Sequence, residues 1–418
     1  MSAQPSAGII GVFSQVGRAP RFYWLMAAMV PASFSASTVG AVRVILAAHV
    51  GGTATVGTIA LVSTVVGFVG GLLGGRVVDR VRANVVLGAA LAGFTLSYLA
   101  LAFMVERDAV STPMVLCFAG IDGALYSLSY LSLIKVQSAL VRPEARGAAE
   151  SISSTRSSIG GLLGALLAEN IVLVVDRMLF CAAITGITFV LVLLIPRGAM
   201  SRPEGKQVRQ VGKGDEQGTT TRGSASLLVS TLRTNASFRK VVVANLTLYL
   251  VVPSTVLSLS VVSEGLESMQ SVLVAASIAG VLAGRLILVA RGTRGAVSRD
   301  LTLATVTYGA LALVTGVALI DEWITFRPGL LSTLIFAGSA CGAFTQSMLA
   351  AKFQEQVPDA IRGQASGAMY SAVAVQLSIG ILLATTVVAA WTVHVFTVIL
   401  GVLLLLAVLF LRGFRGIT

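Results

Sequence analysis

Apolar residues in this chain are gathered into long runs separated by short polar or charged segments. Each run is roughly 20 residues long, the length a helix needs to cross a hydrocarbon core of about 30 Å. The first half of the chain contains the runs Phe22–Val50, Val56–Val78, Asn84–Val105, Pro113–Val136, Ala148–Val174 and Met178–Ile195. The second half contains Val241–Val262, Met269–Ala290, Leu301–Ile320, Leu330–Lys352, Gly363–Ala390 and Val393–Leu411. The pattern predicts an all-α membrane protein with twelve spans.

Composition excludes a soluble globular protein. Of the 418 residues, 56% are hydrophobic and only 11% are charged, and the mean hydropathy is +0.90. A soluble domain carries about 25% charged residues. The runs do not alternate apolar and polar positions, so we expect a helical bundle and not a barrel.

One segment interrupts the series of spans. Residues 196–240 are rich in Gly, Ser, Thr, Gln and mixed charge, which is typical of a linker. We therefore predict a six-helix bundle over residues 1–195, a linker over 196–240 and a second six-helix bundle over 241–418. Met1 to Gly17 carries no charged side chain and no short apolar core, so we expect no cleaved signal peptide.

The basic residues predict the orientation. Of the 30 Lys and Arg residues, three lie in loops opposite the termini, and Arg43 and Arg156 are assigned to the interior of spans, which leaves 25 in or next to the loops on the side of the termini. Short loops rich in Lys and Arg remain in the cytoplasm, so both termini and the linker are predicted to be cytoplasmic, in a bacterial inner membrane. The net charge of +12 is therefore assigned to topology and to anionic lipid headgroups. Nucleic-acid binding is not expected, because aromatic residues are not interleaved with the basic ones.

The two halves repeat short motifs in the same order. Phe118-Ala119-Gly120 recurs as Phe336-Ala337-Gly338, Lys135-Val136-Gln137 as Lys352-Phe353-Gln354, and Arg146-Gly147 as Arg362-Gly363. Gly75-Arg76 recurs in the same way as Gly284-Arg285. Six plus six spans in one orientation form a parallel repeat, whose halves can rock around a substrate site near the membrane midplane. The alternative is a duplicated bundle without a cavity.

A few charged residues lie inside the predicted spans. Asp122 is about midway along the fourth span, where a carboxylate is costly and can serve proton coupling. Arg156 is two turns inside the fifth span, and depth alone makes Asp122 its expected partner. Glu169, farther along the same span, is a second candidate for proton coupling, or it is only solvated near the outer mouth. Arg43 is expected to extend to the membrane surface.

Polar and aromatic residues inside the spans are candidates for a substrate cavity. For all of them except Arg156 and Gln376, an ordinary contact between helices is an equally good interpretation. The candidates are Arg156, Tyr126, Tyr130, Asn245, Tyr249, Phe344, Gln346 and Gln376.

Cofactor and nucleotide chemistry are not expected. The two His residues stand alone and the three Cys residues lie apart, so no spacing typical of a metal or haem site is present. Gly205-Lys206 and Gly212-Lys213 lack the Ser or Thr that ends a phosphate-binding loop. The sequence therefore predicts no enzyme, no cofactor and no metal, and an ion gradient remains as the energy source.

The segment Gly75-Arg76-Val77-Val78-Asp79-Arg80 resembles the signature of the major facilitator superfamily. The resemblance implies twelve helices and a cytoplasmic latch, formed by Gly75, Asp79 and Arg80 together with Arg146 and Arg362. Gly160-Gly161-Leu162-Leu163-Gly164-Ala165 is similar to the superfamily's antiporter stretch, with Ala165 in place of Pro. Ile121-Asp122-Gly123, Arg156 and Arg82 look most like the branch of enterobactin exporters and macrolide efflux pumps.

The expectation is a monomeric, proton-coupled exporter of a small amphipathic molecule such as a drug, siderophore or secondary metabolite. A proton-coupled importer with the same fold is the first alternative. A membrane sensor that does not transport is the second.

Overall fold

The protein is described here by a computed structural model. It describes residues 19–142, 145–168, 174–194, 239–243, 270–291, 297–320, 328–357, 362–390 and 393–412, with a few isolated positions elsewhere. Within these ranges the regular elements are α-helices. In chain order they are α1 (Pro20–Arg80), α2 (Ala83–Glu106), α3 (Thr112–Leu140), α4 (Arg146–Ala168), α5 (Val174–Leu193), α6 (Gln270–Arg291), α7 (Val297–Ile320), α8 (Pro328–Gln356), α9 (Arg362–Ala390) and α10 (Val393–Arg412).

Helix α1 contains the first two predicted spans as limbs, Pro20–Arg43 and Thr58–Arg80. The sequence predicted that the helix ends between these two spans, and this is wrong, because helical hydrogen bonding continues through Gly51. A straight helix of 61 residues would be about 90 Å long. Instead, Phe22 packs in one cluster with Leu133 and Val78 in another with Leu131, so the two limbs fold back along α3.

The segment between the limbs has local features that favour a bend. The Thr55 hydroxyl donates to the Gly51 carbonyl at 2.8 Å, and such a bond to the preceding turn bends a helix. Gly51 and Gly52 carry no side chain, which permits the tight approach that a bend requires.

Most helix bounds agree with the predicted spans to within a few residues. In the described part of the chain, seven helical segments are long and apolar enough to cross a membrane. They are the two limbs of α1, then Ala83–Glu106, Thr112–Leu140, Val175–Leu193, Arg299–Val317 and Gly329–Gln356. Helices α4, α6, α9 and α10 match further predicted spans in position and length. The predicted span Val241–Val262 and the linker lie almost entirely outside the described residues.

We call helices α1–α5, which precede the predicted linker, the first half of the described structure, and helices α6–α10 the second half. The halves meet where the second limb of α1 packs on α9 and where α4 packs on α6 and α8. Under the sequence repeat, the pair of α1 and α9 is equivalent to the pair of α6 and α4. Two equivalent contacts of this kind are what a parallel repeat produces.

The halves make close backbone contacts at the face that carries the loops near Arg82 and Arg142, which we call the basic face. A Cβ placed on Gly367 of α9 would lie 2.6 Å from the Gly71 carbonyl oxygen of α1. A Cβ on Gly75 would lie 2.9 Å from the Gly363 carbonyl oxygen. Only glycine allows two backbones to approach this closely, so these contacts close the basic face.

Candidate functional site: a central cavity with buried charges

A cavity of about 480 Å³ lies between the two halves. This volume falls in the range of about 300–1,000 Å³ that is typical of small-molecule sites. The first half contributes α1 to α5, including Ser33, Tyr98, Tyr126, Tyr130, Glu150 and Arg156, and the second half contributes α6, α8 and α9, including Arg285, Gln346, Gln354 and Tyr370. A molecule bound here would touch both halves.

Helix α4 supplies a polar stripe to the cavity. Glu150, Ser153, Ser154 and Ser157 all line it, at spacings i, i+3, i+4 and i+7 that place them on one helix face. Sequence reasoning noted the serines but missed Glu150, which lies close to the basic loop before α4. The helical spacing of the four residues is the signal that could have found it.

Arg156 is held by neutral oxygens of the first limb of α1. Its Nη1 donates to the Met29 carbonyl at 2.7 Å and to Ser33 Oγ at 2.9 Å, and the side chain is buried. The expected pairing of Arg156 with Asp122 is therefore wrong. Depth in the membrane does not determine which face of a helix a residue occupies, and Asp122 faces a different neighbour.

Arg285 of α6 reaches across to α4. Its Nη1 donates to Ser158 Oγ at 2.7 Å and to the Ser154 carbonyl. Sequence analysis used Arg285 only as evidence for the repeat. Its repeat-related partner, Arg76, is exposed, so the two equivalent positions have different surroundings.

Glu150 is fully enclosed and bonded to a glutamine. Gln137 Nε2 donates to Glu150 Oε2 at 2.6 Å, and both side chains are buried. The repeat-related pair in the second half is Gln354 and Ser366, whose Nε2 and Oγ are 3.4 Å apart. The repeat therefore preserves the bond but places a carboxylate in the first half only.

Three tyrosines form an aromatic wall of the cavity. The ring centroids of Tyr130 and Tyr370 are 5.5 Å apart, and those of Tyr126 and Tyr370 are 6.3 Å apart. Tyr126 and Tyr130 belong to α3, whereas Tyr370 belongs to α9. The wall thus combines both halves, and an aromatic or aliphatic group could pack against it.

A second charged cluster lies inside the first half. Arg43 Nη2 and Asp122 Oδ2 are 2.7 Å apart, and Ser97 Oγ donates to Asp122 Oδ1 at 3.2 Å. The expectation that Arg43 extends to the membrane surface is wrong, because a buried carboxylate within reach of its side chain is the stronger partner. Asp122 does not line the cavity, but Tyr98, which does, interacts electrostatically with Asp122 and Arg43.

The remaining cavity candidates differ in where they lie. Gln346 lines the cavity. Phe344 is buried away from the lining and Gln376 is not among the lining residues, so the expectation that these two form the cavity is corrected. Helical register explains Phe344, because residues two positions apart face directions that differ by about 200°. Asn245, Tyr249 and Glu169 lie outside the described residues.

At the basic face, Asp79 links three helices. Its Oδ1 is 3.0 Å from Lys135 Nζ on α3, and its carboxylate lies directly against Gly363 in the first turn of α9. A carboxylate at a helix N-terminus interacts favourably with the helix dipole. Arg80, expected to act with Asp79, is exposed, so Lys135 is the basic partner of Asp79 in its place.

The start of α4, which is equivalent by the sequence repeat to the start of α9, also has a carboxylate against it. This carboxylate belongs to α8 and not to the equivalent of Asp79. Glu355 of α8 lies against Gly147 in the first turn of α4, and Lys352 Nζ is 2.9 Å from its Oε2. Each half thus places an acid at the start of a helix of the other half. Arg362 Nη2 donates to the Val357 carbonyl at 3.0 Å, and Arg146 lies at the first residue of α4, so both predicted latch arginines occupy this face.

Metal binding finds no support in the part of the chain that the structure describes. No group of three or more His, Cys, Asp or Glu side chains there could hold an ion. The chemistry available to the cavity is that of hydrogen bonding, ion pairing and aromatic packing.

Comparison with known proteins supplies a family and a fold. The family model for the Major Facilitator Superfamily matches residues 23–375. Comparison with curated proteins gives no match.

Three solved structures are similar to this one over nearly the whole chain. The human organic anion transporter TETRAN is 16% identical, with a TM-score of 0.66 and coverage of 97% of this chain and 99% of that one. The E. coli fucose:proton symporter FucP is 12% identical, with a TM-score of 0.65 and coverage of 94% and 98%. The proton:xylose symporter XylE, bound to 6-bromo-6-deoxy-D-glucose, is 16% identical, with a TM-score of 0.71 and coverage of 94% and 96%. At these identities the similarity establishes the fold alone.

Proposed function

This chain belongs to the major facilitator superfamily, and we propose that it is a proton-coupled exporter of a small amphipathic molecule. The cargo is a drug, a siderophore or a secondary metabolite. Transport proceeds by alternating access, in which the two halves rock around the central cavity. Within the superfamily we place the chain nearest the branch of enterobactin exporters and macrolide efflux pumps.

The observation that carries this proposal is a cavity lined by both halves and closed by glycine contacts at the basic face. Cargo bound there must be released to one side or the other when the halves rock. Because one chain supplies all the lining described, we propose that the protein acts as a monomer. Polar groups and the tyrosine wall together suit a molecule that is apolar at one end and polar at the other.

Proton coupling is assigned to the pair of Asp122 and Arg43. Protonation of Asp122 would neutralise the carboxylate and release the Arg43 guanidinium at 2.7 Å from it. Breaking a buried pair by removing one charge costs about 3–5 kcal/mol, which is enough to shift a conformational equilibrium. Tyr98 lines the cavity and interacts electrostatically with both members of this pair, so it can transmit the change to bound cargo. Glu169 stays in the proposal as a second proton site near the opposite face.

The direction of transport is proposed from orientation and helix packing. The basic face is assigned to the cytoplasm because loops rich in Lys and Arg stay inside, and its arginines would contact anionic headgroups of a bacterial inner membrane. The stretch Gly160–Ala165 of α4 supports export because it resembles the antiporter stretch of the superfamily. It packs backbone to backbone on the first limb of α1. A Cβ on Gly160 would lie 2.8 Å from the Val30 carbonyl oxygen, and one on Gly164 would lie 2.6 Å from that of Phe34.

Import by proton symport is the second candidate. Two structures with the same fold, the fucose and xylose carriers, are proton symporters by their names. The fold is the same for both directions, so only a directional measurement separates them.

Membrane vesicles of both orientations provide this measurement. Inside-out vesicles with and without the protein are acidified internally, and a panel of amphipathic compounds is added while a fluorescent dye reports the internal pH. An exporter that exchanges cargo for protons raises the internal pH and accumulates cargo in these vesicles. Accumulation only in right-side-out vesicles contradicts export and supports import. The Asp122→Asn variant should abolish the dye response in either orientation.

A further inference from the structure

Among the described residues that line the central cavity, positive charges outnumber negative ones. Among the described lining residues, Glu150 carries one negative charge, and Arg156 and Arg285 each carry one positive charge. The predicted span 241–262 and the stretch 377–390 of α9 contain no charged residue, so neither adds an acid to the cavity. Two guanidinium groups that line one cavity favour the binding of an anionic group there.

The two guanidinium groups lie beside the same turn of α4. Arg285 Nη1 donates to Ser158 Oγ and to the Ser154 carbonyl, and these serines lie two positions on either side of Arg156. Glu150 interacts electrostatically with both arginines. The hydrogen bonds described above join both arginines to neutral oxygens, of Met29, Ser33, Ser154 and Ser158. The Nε of Arg156 is buried without a hydrogen-bond partner, so this guanidinium retains a donor for a further ligand.

The two arginines belong to different halves of the molecule. Arg156 is on α4 of the first half and Arg285 is on α6 of the second half. An anion held by both would therefore link the halves directly. Tyr126 interacts electrostatically with Arg156 and is 49% exposed, so the aromatic wall begins beside the charged site.

We propose that the cargo carries a single anionic group, a carboxylate or sulfonate, which binds between Arg156 and Arg285. The apolar body of the cargo lies against Tyr126, Tyr130 and Tyr370. When the cavity is empty, Glu150 is the counter-ion of the two arginines. When cargo binds, its anionic group replaces Glu150 in this role, and the Glu150 carboxylate stays bonded to Gln137. This inference rests on the proposed transport function and names the substrate class for it. Protons bind separately at Asp122, which does not line the cavity.

Three probes with one ring system and different charge test the proposal. They are naphthoate with one negative charge, naphthamide without charge, and naphthylmethylammonium with one positive charge. Binding is measured by equilibrium dialysis on the purified full-length protein in lipid nanodiscs, with protein-free nanodiscs as the blank. All three probes are measured on the same preparation, so the ratio of their affinities does not depend on the fraction of protein that is folded.

Variants assign the preference to named side chains. A hydrogen bond to a charged group contributes about 1.5–3 kcal/mol, so Arg156→Gln or Arg285→Gln should weaken naphthoate binding about tenfold or more and change naphthamide binding less than about twofold. Glu150→Gln removes the competing carboxylate and should strengthen naphthoate binding several-fold. Arg76→Gln is the matched control, since Arg76 is the exposed repeat-related counterpart of Arg285 and should leave all three affinities unchanged.

The expected order of affinity is naphthoate, then naphthamide, then naphthylmethylammonium. Equal binding of the anion and the amide, a preference for the cation, or no binding of naphthoate up to millimolar concentration would overturn the proposal. A preference that survives in both arginine variants would overturn it as well. Failure of the transport function is distinguishable: the purified protein would still prefer the anion, but vesicles would show no proton-linked flux of any compound.

Discussion

The contact between Gly71 and Gly367 should control how firmly the basic face closes. In the structure, a Cβ on Gly367 would lie 2.6 Å from the Gly71 carbonyl oxygen and 3.3 Å from the Gly75 Cα. Ordinary contacts of a Cβ begin near 3.4 Å, so Gly367→Ala should force the two helices about 0.8 Å apart. Overpacking of this kind costs about 1–3 kcal/mol. Because this contact exists only in the closed arrangement, the population ratio should move about 5- to 150-fold towards opening at this face.

Thiol labelling measures this shift. Ser347 lines the cavity and is 4% exposed, and Ser347→Cys is introduced into a chain whose three native cysteines are replaced. A membrane-impermeant maleimide applied at the basic face should label this cysteine faster in Gly367→Ala than in the parent. Gly161→Ala is the control, because a Cβ on Gly161 meets nothing within 4 Å. Equal rates in Gly367→Ala and the parent, or equal acceleration by Gly161→Ala, would refute the reasoning.

Other variants probe the buried charges and the helix starts. Asp122→Asn leaves Arg43 without its anion and should lower the free energy of unfolding by about 3–5 kcal/mol, as measured by thermal unfolding. A second substitution, Arg43→Gln, should restore part of this loss. A double variant that is no more stable than Asp122→Asn would contradict the pairing. Asp79→Asn and Glu355→Gln should each weaken closure by about 0.3–1 kcal/mol through the lost interaction with a helix N-terminus, seen as faster maleimide labelling from the basic face. Asp176 is an exposed acid in the first turn of α5, so Asp176→Asn should leave the labelling rate unchanged. Equally fast labelling in Asp176→Asn would contradict a specific role of Asp79 and Glu355.

Hydropathy predicted the helices well because the bilayer imposes their length. The predicted span Asn84–Val105 corresponds to helix Ala83–Glu106, and Gly363–Ala390 corresponds to Arg362–Ala390. Hydropathy could not predict that the helix continues through Gly51. It detects the fall in hydrophobicity between two spans, but it does not show whether the helix ends there or bends with its hydrogen bonds intact.

Partner choice was the main failure of the sequence reasoning. Depth along a span places Arg156 and Asp122 at similar levels, but contact also depends on the direction each helix face points. The structure pairs Asp122 with Arg43. Glu150 was missed for a related reason, since its position next to a basic loop concealed that it continues the polar stripe of α4 into the cavity.

A reversible cross-link between the halves tests alternating access most directly. Ser371 Oγ donates to the Phe68 carbonyl at 2.9 Å, which joins α9 to the second limb of α1 near the closed face. In the chain without native cysteines, Phe68→Cys and Ser371→Cys are joined by a short bis-methanethiosulfonate cross-linker, which reduction removes, and cargo flux is measured in vesicles. We predict that flux stops when the cross-link forms and returns on reduction, while each single variant transports under both conditions. Undiminished flux through the cross-linked protein would contradict the claim that the halves must separate at this face.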